Sequence, residues 1–382
     1  MHCSERDAQS LKGRKFLILL FILVFILTPI LTCWCQDSYP WIKANYTLGY
    51  IKKNKSKVII EIPEVYELTN IIIAITDYGL STNRVYKQGE YYERVLRHFL
   101  PFKNHPLIPK IEPVVRKSSL FRPLKENSAC YVFKKDLIVT GGIYPFIKFL
   151  NPFRNHIKLI EEFAVKSQFR NFYRDNLSYY THQIEKYREK VPIKKMWLWL
   201  EKHFPERYDC YKIVFSPLTY GTHMTQRFRD GNFNEILMFI SGPEVYEKHY
   251  SGKVEEGLLS RMVFTEIDHN YVNPITDKNI ERVKNVFSDF KRWNKQSGYD
   301  SPYATFNEYM TWAVYILYAY ENYEREKFAS IKQIVFDQMI NSRKFVMFEQ
   351  FSEKLLEFYS DRKGGETIPD LYLKILDWAS KM

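Results

Sequence analysis

Across residues 155–204, and again from residue 252 to the C-terminus, apolar side chains recur at helical spacing almost without a break. A chain that commits so much of its length to helix has little left for sheet. The interruptions are local: Asn176 and Pro192 in the first stretch, then Pro274, residues 298–302 and residues 364–369 in the second. The best strand candidates are 209–215 (DCYKIVF) and 235–240 (EILMFI), with a shorter one at 57–62 (KVIIEI) and more at 129–139. Residues 64–76 carry a helical stripe of Val65, Leu68, Ile72 and Ile75, although β-branched Ile71, Ile72 and Ile73 also suit a strand. A helix over 85–99 stops at Pro101, and Pro106, Pro109, Pro113 and Pro123 then read as a proline-rich connection. The order predicts an α+β fold with a small mixed or antiparallel sheet and a predominantly helical C-terminal half. One domain over 36–382 accommodates it, with a mixed α/β part to residue 150 and a mainly helical part beyond.

Composition narrows the chemistry. The 382 residues hold 14 Gly against 28 Phe, 29 Tyr and 7 Trp, and neither G-x-G-x-x-G nor G-x-x-x-x-G-K-[ST] occurs. The net charge of +12 invites a nucleic-acid reading, but the N-terminus argues against one. Arg6, Lys12, Arg14 and Lys15 precede the uncharged run FLILLFILVFILTPILT at 16–32, the pattern of a signal peptide over 1–35 or of an uncleaved signal anchor. Cys33 and Cys35 stand at −3 and −1 of a cleavage before Gln36, and a lipoprotein cleavage before Cys33 is the other option. The expectation is an exported protein (periplasmic, cell-surface or secreted) with no nucleic-acid partner and membrane contact through that segment alone. Cys130 and Cys210 are the remaining cysteines; they allow one disulfide and exclude a thiolate zinc site.

Polar groups on apolar helix faces mark where to look, since burying them costs free energy unless something binds them. At 100° per residue, Glu266 and His269 fall in the sector of Leu258, Leu259, Met262 and Val263, whereas Asp268 faces away. Glu308 stands in a stripe of Trp312, Tyr315, Ile316 and Ala319. Two such helices side by side offer imidazole and carboxylate ligands for zinc, or a buried Glu–His pair that satisfies itself.

Thr265-Glu266-Ile267-Asp268-His269 resembles the H-E-x-x-H helix of zinc metallopeptidases, with Thr in place of the first histidine. Asn307-Glu308, with thirty-eight residues between His269 and Glu308, resembles the Asn-Glu that supplies the third ligand in gluzincins. PEVYELTNIIIAIT, YYERVLRHFLPFKNHP, EEFAVKSQFRNFYRDN, FSPLTYGTH and EIDHNYVNP are similar to segments of exported bacterial proteins with a gluzincin-like domain. The resemblance implies a zincin-like fold, Glu266 as general base, and His269 and Glu308 as metal ligands. It also implies that zinc binding is weakened or lost at Thr265. His223 and His249 are the candidates for a recruited ligand, and Tyr220 and Tyr315 for oxyanion stabilisation.

Three functions follow as expectations. The first is an exported metallopeptidase-like protein with a degenerate site that retains a peptide or protein partner. The second is an active peptidase with an unorthodox ligand set. The third is a non-enzymatic surface protein in which Glu266, His269 and Glu308 form a polar cluster.

Overall fold

Five strands form one mixed sheet: β1 (Trp41–Lys43), β2 (Lys57–Glu61), β5 (Cys210–Ser216), β6 (Met224–Asp230) and β7 (Phe233–Ser241), in the order β1-β6-β7-β5-β2. The pairs β1/β6, β5/β7 and β2/β5 are parallel, and β6/β7 is antiparallel. A separate antiparallel hairpin joins β3 (Tyr131–Lys134) to β4 (Leu137–Thr140). The computed structural model describes residues 40–247, 254–295 and 298–382; the segment 1–35, expected to direct export, and His249 lie outside them. Residues 40–382 form one compact unit, and its sheet takes strands from both sides of residue 150.

Strands β5 and β7 are buried along almost their whole length, which is why they read as continuous apolar runs. Strand β6 escaped the sequence reading because MTQRFRD shows no apolar alternation; Arg227 is nonetheless buried, its guanidinium over the Trp41 ring at 5.0 Å. The missed signal was Gly231-Asn232, a two-residue hairpin whose Gly231 has φ +55° and which fixes the Asp230–Phe233 register.

The helices used below, designated in chain order, are α1 (Glu64–Ile75), α2 (Ile108–Arg116), α3 (Ser118–Asn127), α4 (Ile157–Lys166), α5 (Glu255–Lys278), α6 (Pro302–Asn322) and α7 (Arg325–Asp337). Burial on nearly every side of α1 settles the ambiguous isoleucines as helix. The proline-rich connection is corrected: Pro113 lies inside α2 and Pro123 inside α3. Pro274 likewise lies within α5 and ends nothing. Each proline forfeits one backbone bond, but the buried faces (Ile111 and Val115, Phe121 and Leu124, Val272 and Ile275) outweigh that loss.

Helix α5 packs with one side on β6 and β7 and another on α6, so it is enclosed almost all round. Leu258, Leu259, Met262 and Val263 are buried as its spacing predicts. Asp268 corrects the reading, for it is also fully buried, because α5 has no solvent face at that level. Cys130 and Cys210 are buried free thiols, and no disulfide joins them. Among the described residues no helix is long and apolar enough to cross a membrane.

Candidate functional site

The sheet and α6 hold α5 from two sides, and the polar residues of α5 and α6 meet between them. Helix α6 starts at a Ser301 cap, whose hydroxyl accepts the Ala304 N–H, with Pro302 in the first turn. Asn307 Oδ1 accepts the Thr276 hydroxyl of α5 at 2.7 Å, which fixes the register of the two helices beside Glu308. His269 Nε2 then lies 3.6 Å from Glu308 Oε1, and His269 Nδ1 lies 3.2 Å from Asn273 Oδ1, one turn further along α5.

The other oxygen of Glu308 is already taken. Arg343 Nη2 reaches Glu308 Oε2 at 2.6 Å, and the same nitrogen bonds the Tyr299 hydroxyl. An irregular stretch aims Arg343 at this point. A π-helical turn, Gln338–Ser342, is closed by the Arg343 N–H on the Gln338 carbonyl, and Lys344 follows with φ +60°. The Asn294 amide donates to the Arg343 carbonyl at 3.1 Å, and a bridge between Asn294 and Phe345 holds the segment in place. The Arg343 guanidinium lies 4.7 Å from the Trp312 ring centre, and that of Arg261 lies 4.5 Å from the same ring.

These neighbours set the protonation states. Burial pushes Glu308 up, but Arg343 and His269 outweigh it and hold its carboxyl below the usual range. For His269 burial works downward, yet Glu308, Glu266 and Asn273 prevail and raise it. Glu266 is pushed up to about 7 by burial and by the Glu308 charge, against His269. Burial, then the charges of Glu266 and Glu308, raise Asp268 well above its ordinary value, and neither of its side-chain oxygens has a hydrogen-bond partner, so its surroundings favour the protonated form.

His223 stands in the same charged neighbourhood, anchored 2.9 Å from Ser241 Oγ, and Arg122 Nη2 bonds its carbonyl at 2.9 Å. Burial and the cations Arg261, Lys125, Arg343 and Arg122 push His223 down to about 3, so it is neutral. The Thr265 hydroxyl turns back to the Met262 carbonyl at 3.4 Å. Tyr315 is fully buried and donates to the Gly257 carbonyl, and Tyr220 stacks on Tyr86. The tyrosine that does reach the cluster is Tyr299.

No family model, no curated protein and no solved structure matches the chain.

Whether these residues suit zinc is a question of donors. One imidazole faces a carboxylate that a guanidinium already holds, and the hydroxyl at the first-ligand position serves its own helix. Among the described residues no three His, Cys, Asp or Glu side chains converge as a metal-holding set. This donor set does not fit a divalent cation of three or four ligands. Sequence reasoning placed His269 and Glu308 together but missed Arg343, Tyr299, Arg122 and Asn273. Only Asn273, four residues after His269, carried a readable signal.

Proposed function

We propose that the chain is an exported, metallopeptidase-like protein of zincin-like layout that binds peptide segments beside Glu266, His269 and Glu308 without a metal and without cleaving them. One observation carries this reading: Arg343 forms an ion pair with the carboxylate that would otherwise be a metal ligand, opposite His269. A guanidinium supplies permanent positive charge where a metal would, but it offers no open coordination position and activates no water. The layout of α5 between the sheet and α6, with Glu266, His269 and Glu308 facing one another's charges, supports the zincin-like comparison. The basic start and uncharged run of 16–32 support export.

The test is metal analysis with zinc titration of the parent, Thr265→His and Thr265→His/Arg343→Ala. The reading expects no stoichiometric zinc in the parent and affinity higher by orders of magnitude in the double variant. Peptide binding by the parent should be indifferent to EDTA. Stoichiometric zinc in the parent that disappears in Glu308→Ala overturns it.

A second reading rests on Glu266. A carboxyl with a pKa of about 7, beside cationic Arg343 and His269, is poised to take or give a proton without a metal. Metal-independent peptide hydrolysis that Glu266→Gln abolishes, with peptide binding unchanged, would replace the binding role with this one.

A further inference from the structure

Among the described residues, one short stretch of chain carries more exposed apolar side chains than any other. Of fourteen large apolar or aromatic side chains exposed among the described residues, Val132, Leu137, Phe146, Phe149 and Leu150 belong to the β3–β4 hairpin and the loop after it. Phe149 is 88 % exposed and Leu137 61 %, each leaving most of a large side chain in water. Monomer surfaces scatter such residues singly; a cluster marks an interaction site.

The loop is held firmly in this form. Asn127, fully buried at the end of α3, accepts the Ile147 and Lys148 N–H groups at 2.7 and 3.0 Å. Its amide donates to the Lys148 and Leu150 carbonyls at 3.0 and 2.7 Å. Asn151 returns the chain to the Tyr131 hydroxyl at 3.2 Å, so hairpin and loop form one connected surface. Asn127 thus satisfies four backbone groups of the loop from beneath, and Phe146, Phe149 and Leu150 are exposed above them.

Charge selects the occupant. Lys134, Lys135, Arg154 and Lys158 are exposed around these residues, with Asp136 as the acid within the stretch and Glu162 beside it. Glu161 accepts the Ile138 N–H and keeps its charge. A depression of about 530 Å³ opens next to Leu137 and Val165, lined by Lys158 and Lys166 and also by Asp136, Glu161 and Glu162. Lys134, Lys135, Arg154, Lys158 and Lys166 outnumber these three carboxylates, and apolar tips beside a net-positive rim suit an anionic bilayer surface, where the tips enter the acyl boundary and the cations meet phosphates. The chain also arrives at this edge: Asn45, just after β1, donates its N–H to the Ile143 carbonyl at 2.9 Å. In the sequence, Pro40 follows Thr32, the end of the apolar run, after seven residues, a reach of roughly 30 Å at most.

We infer that the β3–β4 hairpin and the loop 141–150 form a membrane-docking face for anionic phospholipid. It stands independently of the proposed peptide binding.

The experiment uses the full chain with Phe149→Trp on phosphatidylglycerol-containing vesicles, with brominated acyl chains as quencher. The added indole should be blue-shifted and quenched at least about twofold more than the parent tryptophans. That extra quenching should fall severalfold with Lys134→Ala/Lys135→Ala, and also in phosphatidylcholine vesicles. Subtracting the parent isolates position 149 from any insertion of the N-terminal run, so failure of the export reading leaves the test intact. An indole at 149 that acyl bromine never quenches overturns the inference. So does quenching equal on neutral and anionic vesicles, or an indole that responds to a peptide ligand and not to lipid.

Discussion

Arg343 Nη2 lies 2.6 Å from Glu308 Oε2, while His269 Nε2 lies 3.6 Å from the other oxygen of that carboxylate. One carboxylate is thus shared between a permanent cation and a titratable one, and the pair is mostly shielded from water, with side-chain exposures of 23 % and 14 %. Such a pair is strong evidence of mutual dependence, because either partner alone is a partly buried charge.

Arg343→Gln should therefore lower the unfolding free energy by about 2 kcal/mol, below the range for fully buried pairs because water still reaches both groups. Urea denaturation at pH 7 measures it. A loss indistinguishable from zero would mean that the guanidinium is not seated on Glu308.

The pH dependence of His269 follows from its partner. Its folded-state pKa is raised, so its stabilising contribution is complete below the unfolded value of about 6.5 and is lost as pH rises through the folded value. Glu308→Gln should lower the His269 pKa relative to the parent and flatten that part of the stability profile. Imidazole resonances followed through a pH titration decide the point; an unchanged titration would count against the pair.

Asp268 gives the opposite design. Its carboxyl is buried without partners and its pKa is raised, so stability falls as pH climbs above the unfolded value of about 3.9 toward the folded one. Asp268→Asn keeps the shape and removes the proton release. It should stabilise the fold by about 1–3 kcal/mol at pH 7 and by little at pH 4, as thermal melts at both pH values would reveal.

Tyr315 is expected to be structural. Its hydroxyl donates to the Gly257 carbonyl, where α5 approaches so closely that a Cβ on Gly257 would stand 2.3 Å from Ile331 Cδ1 of α7. Tyr315→Phe should cost about 1 kcal/mol in stability and leave the proposed peptide binding unchanged. Weakened binding in a variant of unaltered stability would restore a role at the site.

Local spacing determined a good deal. The helical stripes of α5 and α6, and the acid or imidazole set into each, are properties of residues three and four apart, which a sequence displays directly. The continuous apolar runs of β5 and β7 were legible for the same reason, since a strand buried on both faces needs no partner to announce itself. What tertiary structure alone decided is non-local. Strand β6 is polar in sequence and becomes a sheet member because β1 and β7 supply its hydrogen bonds and Trp41 covers Arg227. Asp268 looked outward because a helical wheel cannot show that α5 has neighbours all round. Above all, Arg343 caps a π-helical turn and lies thirty-five residues beyond Glu308, with no periodicity to flag it. Charge pairing depends on distance in space and on exclusion of water, so the partner of Glu308 was decided by the packing of helices against one another.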